Sequence, residues 1–493
     1  MSADATVRFL LDGKLHEIEN PDPTETLLNY LRYTMARTGT KEGCAEGDCG
    51  ACTVVVGELH GDRMQYRAVN ACILFLPVID GKELFTVESL RAPDGSLHPV
   101  QQAMVDTHGS QCGFCTPGIV MSLFALNKQG VPAGRDAIED ALAGNLCRCT
   151  GYGPIIDAAE QSQKTMQPVN SGGASVKALK DIARKDTLVL TGKSDLTGTT
   201  KKYFAPVTID GLAEVVLQNP AATILAGGTD VGLWVTKQHR ELETVIYIGG
   251  VPELQEIDDR DDAVVIGAGV SYTDAMDRLG ALYPDMGELI RRIGSVQIRN
   301  SGTIGGNIAN GSPIGDSPPA LIAVGASLVL RKGDSERTIA LEDYFIDYGK
   351  QDIRPGEFVA RVIVPKPKPN QYFRAYKLSK RFDQDISAVC GCFGLIIEAG
   401  TVTDARICYG GMAATPKRAG HAEVAIIGKP WNEETVSAGM EAMERDYTPL
   451  SDMRASAEYR LTSAKNLLMK AYAETTSDAQ TRVLIRGSAI HAR

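Results

Sequence analysis

Along this chain, apolar positions come in short alternating runs and in helical spacings, with breaks rich in glycine, proline and polar residues. Near the start, the runs Thr6–Leu11 and Leu15–Glu19 flank Asp12-Gly13, a dipeptide suited to a tight hairpin turn, and so predict paired strands. A helical pattern over Glu25–Tyr33 and an apolar run at Cys52–Val56 complete an order that suits a small sheet crossed by one helix. Gly118–Asn127 and Asp136–Leu146 repeat apolar residues at helical spacing and predict a helical bundle. From about Gln167 to Gly198 the chain turns polar and reads as a linker with one helix near Val176–Arg184. Beyond Pro365–Lys380, strands near Ala388–Glu398 and Thr403–Tyr409 precede helices near Glu433–Met443 and Ala455–Tyr472, which predicts a smaller α+β domain and then a loose tail.

The 493 residues suit several domains, and 43% apolar with 23% charged residues describes a globular chain. A net charge of −10 and the lack of a basic run work against nucleic-acid binding. No apolar stretch approaches a membrane span, and no export signal is evident, so the expected setting is cytoplasmic, without membrane contact. Disulfides are a poor account of eleven cysteines in such a setting.

Eight of the eleven lie before residue 150, in two groups of four. Cys44, Cys49 and Cys52, with Cys72 further on, have the x4 and x2 steps of plant-type 2Fe-2S ferredoxins. Gly43, Gly47 and Gly50 interleave them, as a loop wrapped round a cluster requires. The second group pairs Cys112 with Cys115 and Cys147 with Cys149, at one end of the predicted bundle. Tetrahedral zinc is the alternative for either group, although zinc favours paired Cys-x2-Cys knuckles and a Cys-x-Cys pair is unusual for it.

Two glycine-rich runs follow. Ile224-Leu-Ala-Gly-Gly-Thr-Asp-Val231 follows an apolar strand and could bring backbone N–H groups to a pyrophosphate, or could be a tight turn. Gln297–Pro319 holds five glycines and three prolines among Ser, Thr and Asn, and predicts a long functional loop rather than strand or helix. Neither run has the G-x-G-x-x-G order of a dinucleotide-binding Rossmann site.

The strings Glu42-Gly-Cys-Ala-Glu-Gly-Asp-Cys-Gly-Ala-Cys52, Gln111-Cys-Gly-Phe-Cys-Thr-Pro-Gly118 and Asn145-Leu-Cys-Arg-Cys-Thr-Gly-Tyr152 together resemble the iron-sulfur region of the xanthine dehydrogenase (molybdenum hydroxylase) family. The resemblance implies two 2Fe-2S clusters, on Cys44, Cys49, Cys52 and Cys72 and on Cys112, Cys115, Cys147 and Cys149, with Gln111 and Cys149 beside the pterin of a molybdenum cofactor held by a partner. Both glycine runs resemble the same family's flavin domain. On that basis Ile224, Leu225, Ala226, Gly227, Gly228, Thr229, Asp230 and Val231 form one FAD loop, and Thr303, Ile304, Gly305, Gly306 and Asn307 with Asp316 the other. Val359 and Lys377 are further expected FAD contacts, and Tyr348 matches a position near the nicotinamide of NAD. Ile293 stands where the vertebrate members stack an aromatic on the flavin, and Gln384 where they carry an acidic residue, so the resemblance supports FAD more firmly than NAD.

The fold expected is therefore α+β multidomain: a ferredoxin-like β-grasp 2Fe-2S domain (1–90), a helical-bundle 2Fe-2S domain (91–166), a linker (167–199), an α+β FAD-binding domain (200–367), a smaller α+β C-terminal domain (368–475) and a tail (476–493). The function the resemblance implies is that of the electron-transfer small subunit of the split, bacterial type. A large molybdenum-cofactor subunit would oxidise hypoxanthine or xanthine to urate and feed two clusters, FAD and then NAD, in a dimer of heterodimers. The alternatives are the small subunit of a related hydroxylase for another heterocycle or aldehyde, and a stand-alone iron-sulfur flavoprotein carrier. Cys390, Cys392 and Cys408 read as buried structural thiols.

Overall fold

A computed structural model of the chain describes residues 5–130, 134–164, 173–194 and 197–477. The fold divides into two compact units, one comprising residues up to Pro252 together with Gly294–Gly302, the other Glu253–Ile293 together with the chain from Thr303 onward.

The first unit opens with a five-stranded sheet in the order Lys14–Glu19, Thr6–Leu11, Glu83–Phe85, Thr53–His60, Arg63–Asn70. Asp12 and Gly13 both adopt left-handed φ (54° and 70°), as the two-residue hairpin requires, and Leu11 pairs with Lys14 across it. The helix expected over Glu25–Tyr33 is a single α turn, Leu27–Asn29, widening into a π turn, Tyr30–Thr34. Leu27, Leu28 and Leu31 are buried, so the apolar spacing did mark the buried face.

Four helices follow: Pro99–Asp106, Thr116–Asn127, Arg135–Leu142 and Gly153–Lys164. Thr116–Asn127 is buried from Gly118 through Leu126, as a helix apolar on all sides must be. The helix expected to reach Leu146 stops at Leu142, because the Ala143 and Asn145 N–H groups turn back to the carbonyls of Asp140 and Leu142.

Part of the expected linker is a structural element. Leu188–Lys193 pairs antiparallel with Thr200–Ala205, which leads into a sheet of order 188–193, 200–205, 244–247, 223–225. Leu188, Leu190, Tyr203 and Val245 share one core with Val7, Leu11, Phe75 and Leu76, so this sheet cannot be separated from the ferredoxin-like one. Lys201 is buried against Asp22 (3.1 Å) and Thr24 (2.6 Å), and Arg184 forks onto Asp80 at 2.7 and 2.9 Å. The linker also carries the helix Gly173–Ile182, while its residues 167–172 and 195–196, residues 165–166 before it and the tail from 478 lie outside the described residues.

The second unit contains an antiparallel five-stranded sheet, in the order 257–259, 263–267, 358–365, 327–332, 335–340, and a four-stranded one, in the order 371–378, 389–398, 401–410, 417–418. The helices Glu433–Asp446 and Ala457–Thr476 cover the latter, and Tyr409 donates to the Ala464 carbonyl at 2.8 Å. Val436, Met443, Leu467 and Leu468 belong to that core. Cys390, Cys392 and Cys408 are buried in its strands.

The long loop expected over Gln297–Pro319 is instead three short helices, Val296–Ser301, Ile304–Asn310 and Ser317–Ala323. Ser295 and Thr303 cap the first two through their hydroxyls, and Pro318 and Pro319 sit in the first turn of the third, where a missing N–H is harmless. The same polar and proline residues that suggested a loop are helix starts. Gly305 lies inside a helix because a Cβ there would come within 2.4 Å of the Ala268 Cβ. Among the described residues, no helix is long and apolar enough to cross a membrane.

Candidate functional site

Cys44, Cys49 and Cys52 lie on the loop preceding Thr53–His60, and Cys72 follows Arg63–Asn70, so two neighbouring strands deliver all four. Left-handed φ at Ala45 (55°), Gly47 (80°) and Gly50 (69°) curls this loop. The Cys44 sulfur accepts the Glu46 and Cys49 N–H groups, each at 3.4 Å. The thiols of Cys49 and Cys72 donate to it as well, and all these bonds hold Cys44 far below the ordinary thiol range. Contact with Cys44 and then burial push Cys49 up, while Cys72 is pushed up by Cys44, Cys52 and burial. At Cys44 the two N–H groups favour the thiolate, the form that binds metal. Asn70 ties it down, donating to the Gly47 carbonyl at 2.8 Å, with the Cys52 sulfur 3.8 Å from its Oδ1.

The second set sits at the end of the bundle. Cys115 is the residue before Thr116–Asn127, and Cys147 and Cys149 lie between Arg135–Leu142 and Gly153–Lys164. Cys112 meets Cys149, and Cys115 meets Cys147. Burial and the Cys147 thiol raise Cys115 to about 12. Burial also works against Cys147, yet the Thr150 hydroxyl (3.1 Å) and N–H groups of Thr150 and Cys149 bring it below the ordinary range. The Tyr152 hydroxyl accepts the Cys147 N–H at 2.8 Å. Gln111, Cys112, Phe114, Leu146 and Cys149 are all exposed here.

Each set brings four sulfurs together, in touching pairs. Four thiols per set, with no other donor type among them, fit a two-iron cluster with two thiolates per iron.

Of the candidate flavin residues, Ile224–Val231 lie in the first unit and Ile293, Thr303–Asn307, Asp316, Val359 and Lys377 in the second. The first loop is backed tightly by main chain: a Cβ on Gly227 would stand 1.7 Å from the Ser301 carbonyl oxygen, and one on Gly232 2.6 Å from that of Ile73. Gly228 has φ 71° and lies against the same Ile73 carbonyl. Since Ile73 follows Cys72, the first loop adjoins the first thiol set. Its other side is partly open, from Ala226 to the exposed Asp230, which leaves a cradle that suits a phosphate-bearing cofactor.

In the second unit, Thr303 caps the Gly306 N–H at 2.9 Å, and Asn307 accepts from Ser317 at 2.8 Å. Lys377 and Asp316 form a buried ion pair at 2.6 Å, to which Ser387 donates at 2.6 Å. Val359 is buried in the strand Phe358–Pro365. Ile293 lies two residues past the helix Pro284–Arg291, whose capping residue Arg292 stacks on Phe382 at 4.4 Å, and Gln384 lies two residues past that ring with left-handed φ. Tyr348 is 74% exposed on a hairpin tip.

Sequence reasoning missed Ser387, Phe382, Ile73 and the buried amide Gln297. Their partners lie far along the chain, so no local pattern marks them.

Comparison with known proteins agrees with this layout. Residues 9–76 match the 2Fe-2S iron-sulfur cluster binding domain, 86–160 the [2Fe-2S] binding domain, 197–367 the FAD binding domain in molybdopterin dehydrogenase, and 374–475 the CO dehydrogenase flavoprotein C-terminal domain. A xanthine dehydrogenase of Emericella nidulans is 32% identical over 97% of this chain and 39% of its own length. One of Drosophila subobscura is 31% identical over 99% of this chain and 40% of its own. The chain thus spans about two fifths of these curated relatives. Among solved structures, a carbon monoxide dehydrogenase chain of Hydrogenophaga pseudoflava aligns with TM-score 0.52 and 29% identity, over 54% of this chain and 94% of that one. A chain of quinoline 2-oxidoreductase from Pseudomonas putida 86 shares the fold, with TM-score 0.51 and 23% identity over 55% of this chain and 94% of its own. With two 2Fe-2S domains followed by an FAD-binding domain and its C-terminal companion, the chain corresponds to the iron-sulfur and flavin region of the molybdenum hydroxylase family.

Proposed function

We propose that this chain is the electron-transfer small subunit of a xanthine dehydrogenase. In this reading it takes electrons from a large molybdenum-cofactor subunit that oxidises hypoxanthine and xanthine to urate, and delivers them to NAD. The observation that carries the reading is the graded exposure of the two thiol sets. Cys112 and Cys149 are exposed beside Gln111, Phe114 and Leu146, which offers a partly apolar face to a partner, whereas Cys52 and Cys72 are buried next to the glycine loop at Gly227 and Gly228.

Cys112, Cys115, Cys147 and Cys149 would hold one cluster, with Gln111 and Cys149 nearest the partner's pterin, and Cys44, Cys49, Cys52 and Cys72 the other. Ile224–Val231, Thr303–Asn307 and Asp316, with Ile293, Val359 and Lys377, would hold FAD, and the exposed Tyr348 would meet the nicotinamide. When bound, the clusters carry electrons singly and the flavin passes on two as a hydride. The protein's own part is to keep the first set enclosed, through Asn70 and the Gly47 and Gly50 turns, and the second open.

Purification of the native complex tests this. The expected content is about four iron and about one FAD per chain, with a molybdenum-containing large chain and xanthine-dependent NADH formation. Iron and FAD without molybdenum or a partner would point to a free electron carrier. The likeness to carbon monoxide dehydrogenase favours a second reading, a hydroxylase complex for another substrate, which would show molybdenum and a partner but no turnover of xanthine.

A further inference from the structure

We infer that the buried amides of Gln297 and Asn145 are positioning residues for electron transfer between the two thiol sets, and that the route they fix is the hydrogen bond from the Leu146 N–H to the Cys49 carbonyl. The inference rests on the reading above that each set holds a 2Fe-2S cluster.

That hydrogen bond is 3.0 Å long. Leu146 is bonded to Cys147, so a single hydrogen bond joins two covalent stretches, one ending at the Cys49 sulfur and the other at the Cys147 sulfur. The backbones around it approach as closely as glycine allows. A Cβ on Gly50 would stand 2.1 Å from the Gly144 carbonyl oxygen, and one on Gly118 2.2 Å from that of Gly50.

A knot of polar side chains holds this approach, and its donors and acceptors can be assigned. Ser122 donates to Asn145 Oδ1 at 2.6 Å, and Thr53 donates to the Gly50 carbonyl at 2.7 Å. Asn145 Nδ2 donates to Gly50 O at 3.1 Å and to the Thr53 hydroxyl at 3.3 Å. Both hydroxyl protons are then used, so Thr53, Ser122 and Asn145 Oδ1 turn only lone pairs toward the centre. Gln297 Nε2 fills that centre, 3.2, 3.1 and 3.1 Å from the three. Gln297 is 1% and Asn145 2% exposed.

Gln297 Oε1, by contrast, is buried without a hydrogen-bond partner. Burying an amide with one end unpaired works against stability, so the NH2 end is what this position requires. Gln297 belongs to the short helix Val296–Ser301, whose Asn300 also donates to the Ala68 carbonyl at 2.9 Å. Through Asn300 the helix holds the strand that leads to Cys72, and through Gln297 it holds Thr53, after the first thiol loop, to Ser122 and Asn145, beside the second set. With both clusters bound, each event would move one electron, oxidising the cluster on the Cys112 side by one and reducing that on the Cys44 side by one, with no proton or bond moved.

The test uses the full complex carrying Gln297→Met, which removes the donor at similar length, and Ser122→Ala, which removes one hydroxyl. Electron equilibration between the clusters after a one-electron pulse is timed, alongside the EPR signal and midpoint potential of each cluster. The expected result for Gln297→Met is a slowing of about tenfold or more, a smaller one for Ser122→Ala, and unchanged potentials. Rates within about twofold of the unmodified protein, in variants that hold both clusters, overturn the inference. A slowing fully explained by shifted potentials overturns it too, as does loss of clusters from both variants, which would make the knot a folding element. If Gln297→Met alone loses its clusters, Ser122→Ala decides by the same criterion. An unmodified chain without two clusters would instead overturn the reading beneath it.

Discussion

The pair Lys377–Asp316 is enclosed on all sides, with side-chain exposures of 3% and 6%, and its Nζ to Oδ2 distance is 2.6 Å. The Ser387 hydroxyl donates to the other carboxylate oxygen at 2.6 Å, and the Cys390 thiol also lies against this carboxylate. Lys377→Met keeps most of the side-chain volume and leaves Asp316 as a buried charge without its ion-pair partner. Breaking a buried pair on one side costs about 3–5 kcal/mol, because the remaining charge has lost its partner without regaining water. At a urea slope near the upper end of the usual range, this lowers the unfolding midpoint by about 1–2 M. Trp431 reports on the second unit: it packs edge-on against Tyr472 and donates to Thr475. The chain has only two tryptophans, so Trp234→Phe leaves Trp431 as the sole fluorescent probe. In that background the double variant Lys377→Met with Asp316→Asn should recover more than half of the loss, since no charge is then stranded. A shift below about 0.3 M for Lys377→Met, or a double variant no better than the single one, would refute the account of an isolated desolvated pair. Because both residues are expected FAD contacts, FAD binding followed in the same variants shows whether the pair also serves the cofactor.

Two further outcomes follow from local geometry. Gly50→Ala forces a side chain onto a backbone at φ 69° with the Gly144 carbonyl oxygen 2.1 Å from the new Cβ, and should cost at least about 2 kcal/mol and lower the iron content, read by thermal melting and iron analysis. His98 is held down from 6.5 to about 4, first by burial and then by the Lys128 ammonium, and its Nδ1 accepts the Val100 N–H at 3.3 Å. The neutral ring is the folded form, so this contribution is complete above pH 6.5 and is lost as the pH falls toward 4, where the unfolded chain has already taken up its proton. The full shift corresponds to about 3 kcal/mol and, for a ring left partly open, to about half of that. His98→Asn, which keeps a capping acceptor, should flatten the change in melting temperature between pH 7 and 5 relative to the unmodified chain; an unchanged slope would count against it.

The sequence by itself determined what short stretches encode. The hairpin at Asp12-Gly13 follows from two residues that tolerate left-handed φ, and the strands and helices of the C-terminal domain follow from apolar periodicity. The x4 and x2 cysteine steps point to a cluster because a short loop has few ways to turn several thiols inward, and the structure brings these four together. The glycine-rich stretch after Gln297 was legible as special but not as helical, since Ser, Thr and Pro mark loops and helix starts alike. Leu188–Lys193 read as linker because a short strand with polar neighbours shows its nature only once Thr200–Ala205 pairs with it. Tertiary structure alone decided that Gly294–Gly302 joins the first unit, and that Gln297 meets Thr53 across 244 residues of sequence. The reason is physical: backbone preferences act over a few residues, whereas a buried amide or ion pair is favourable only when its partner has been brought beside it and water excluded, a condition that no local pattern records.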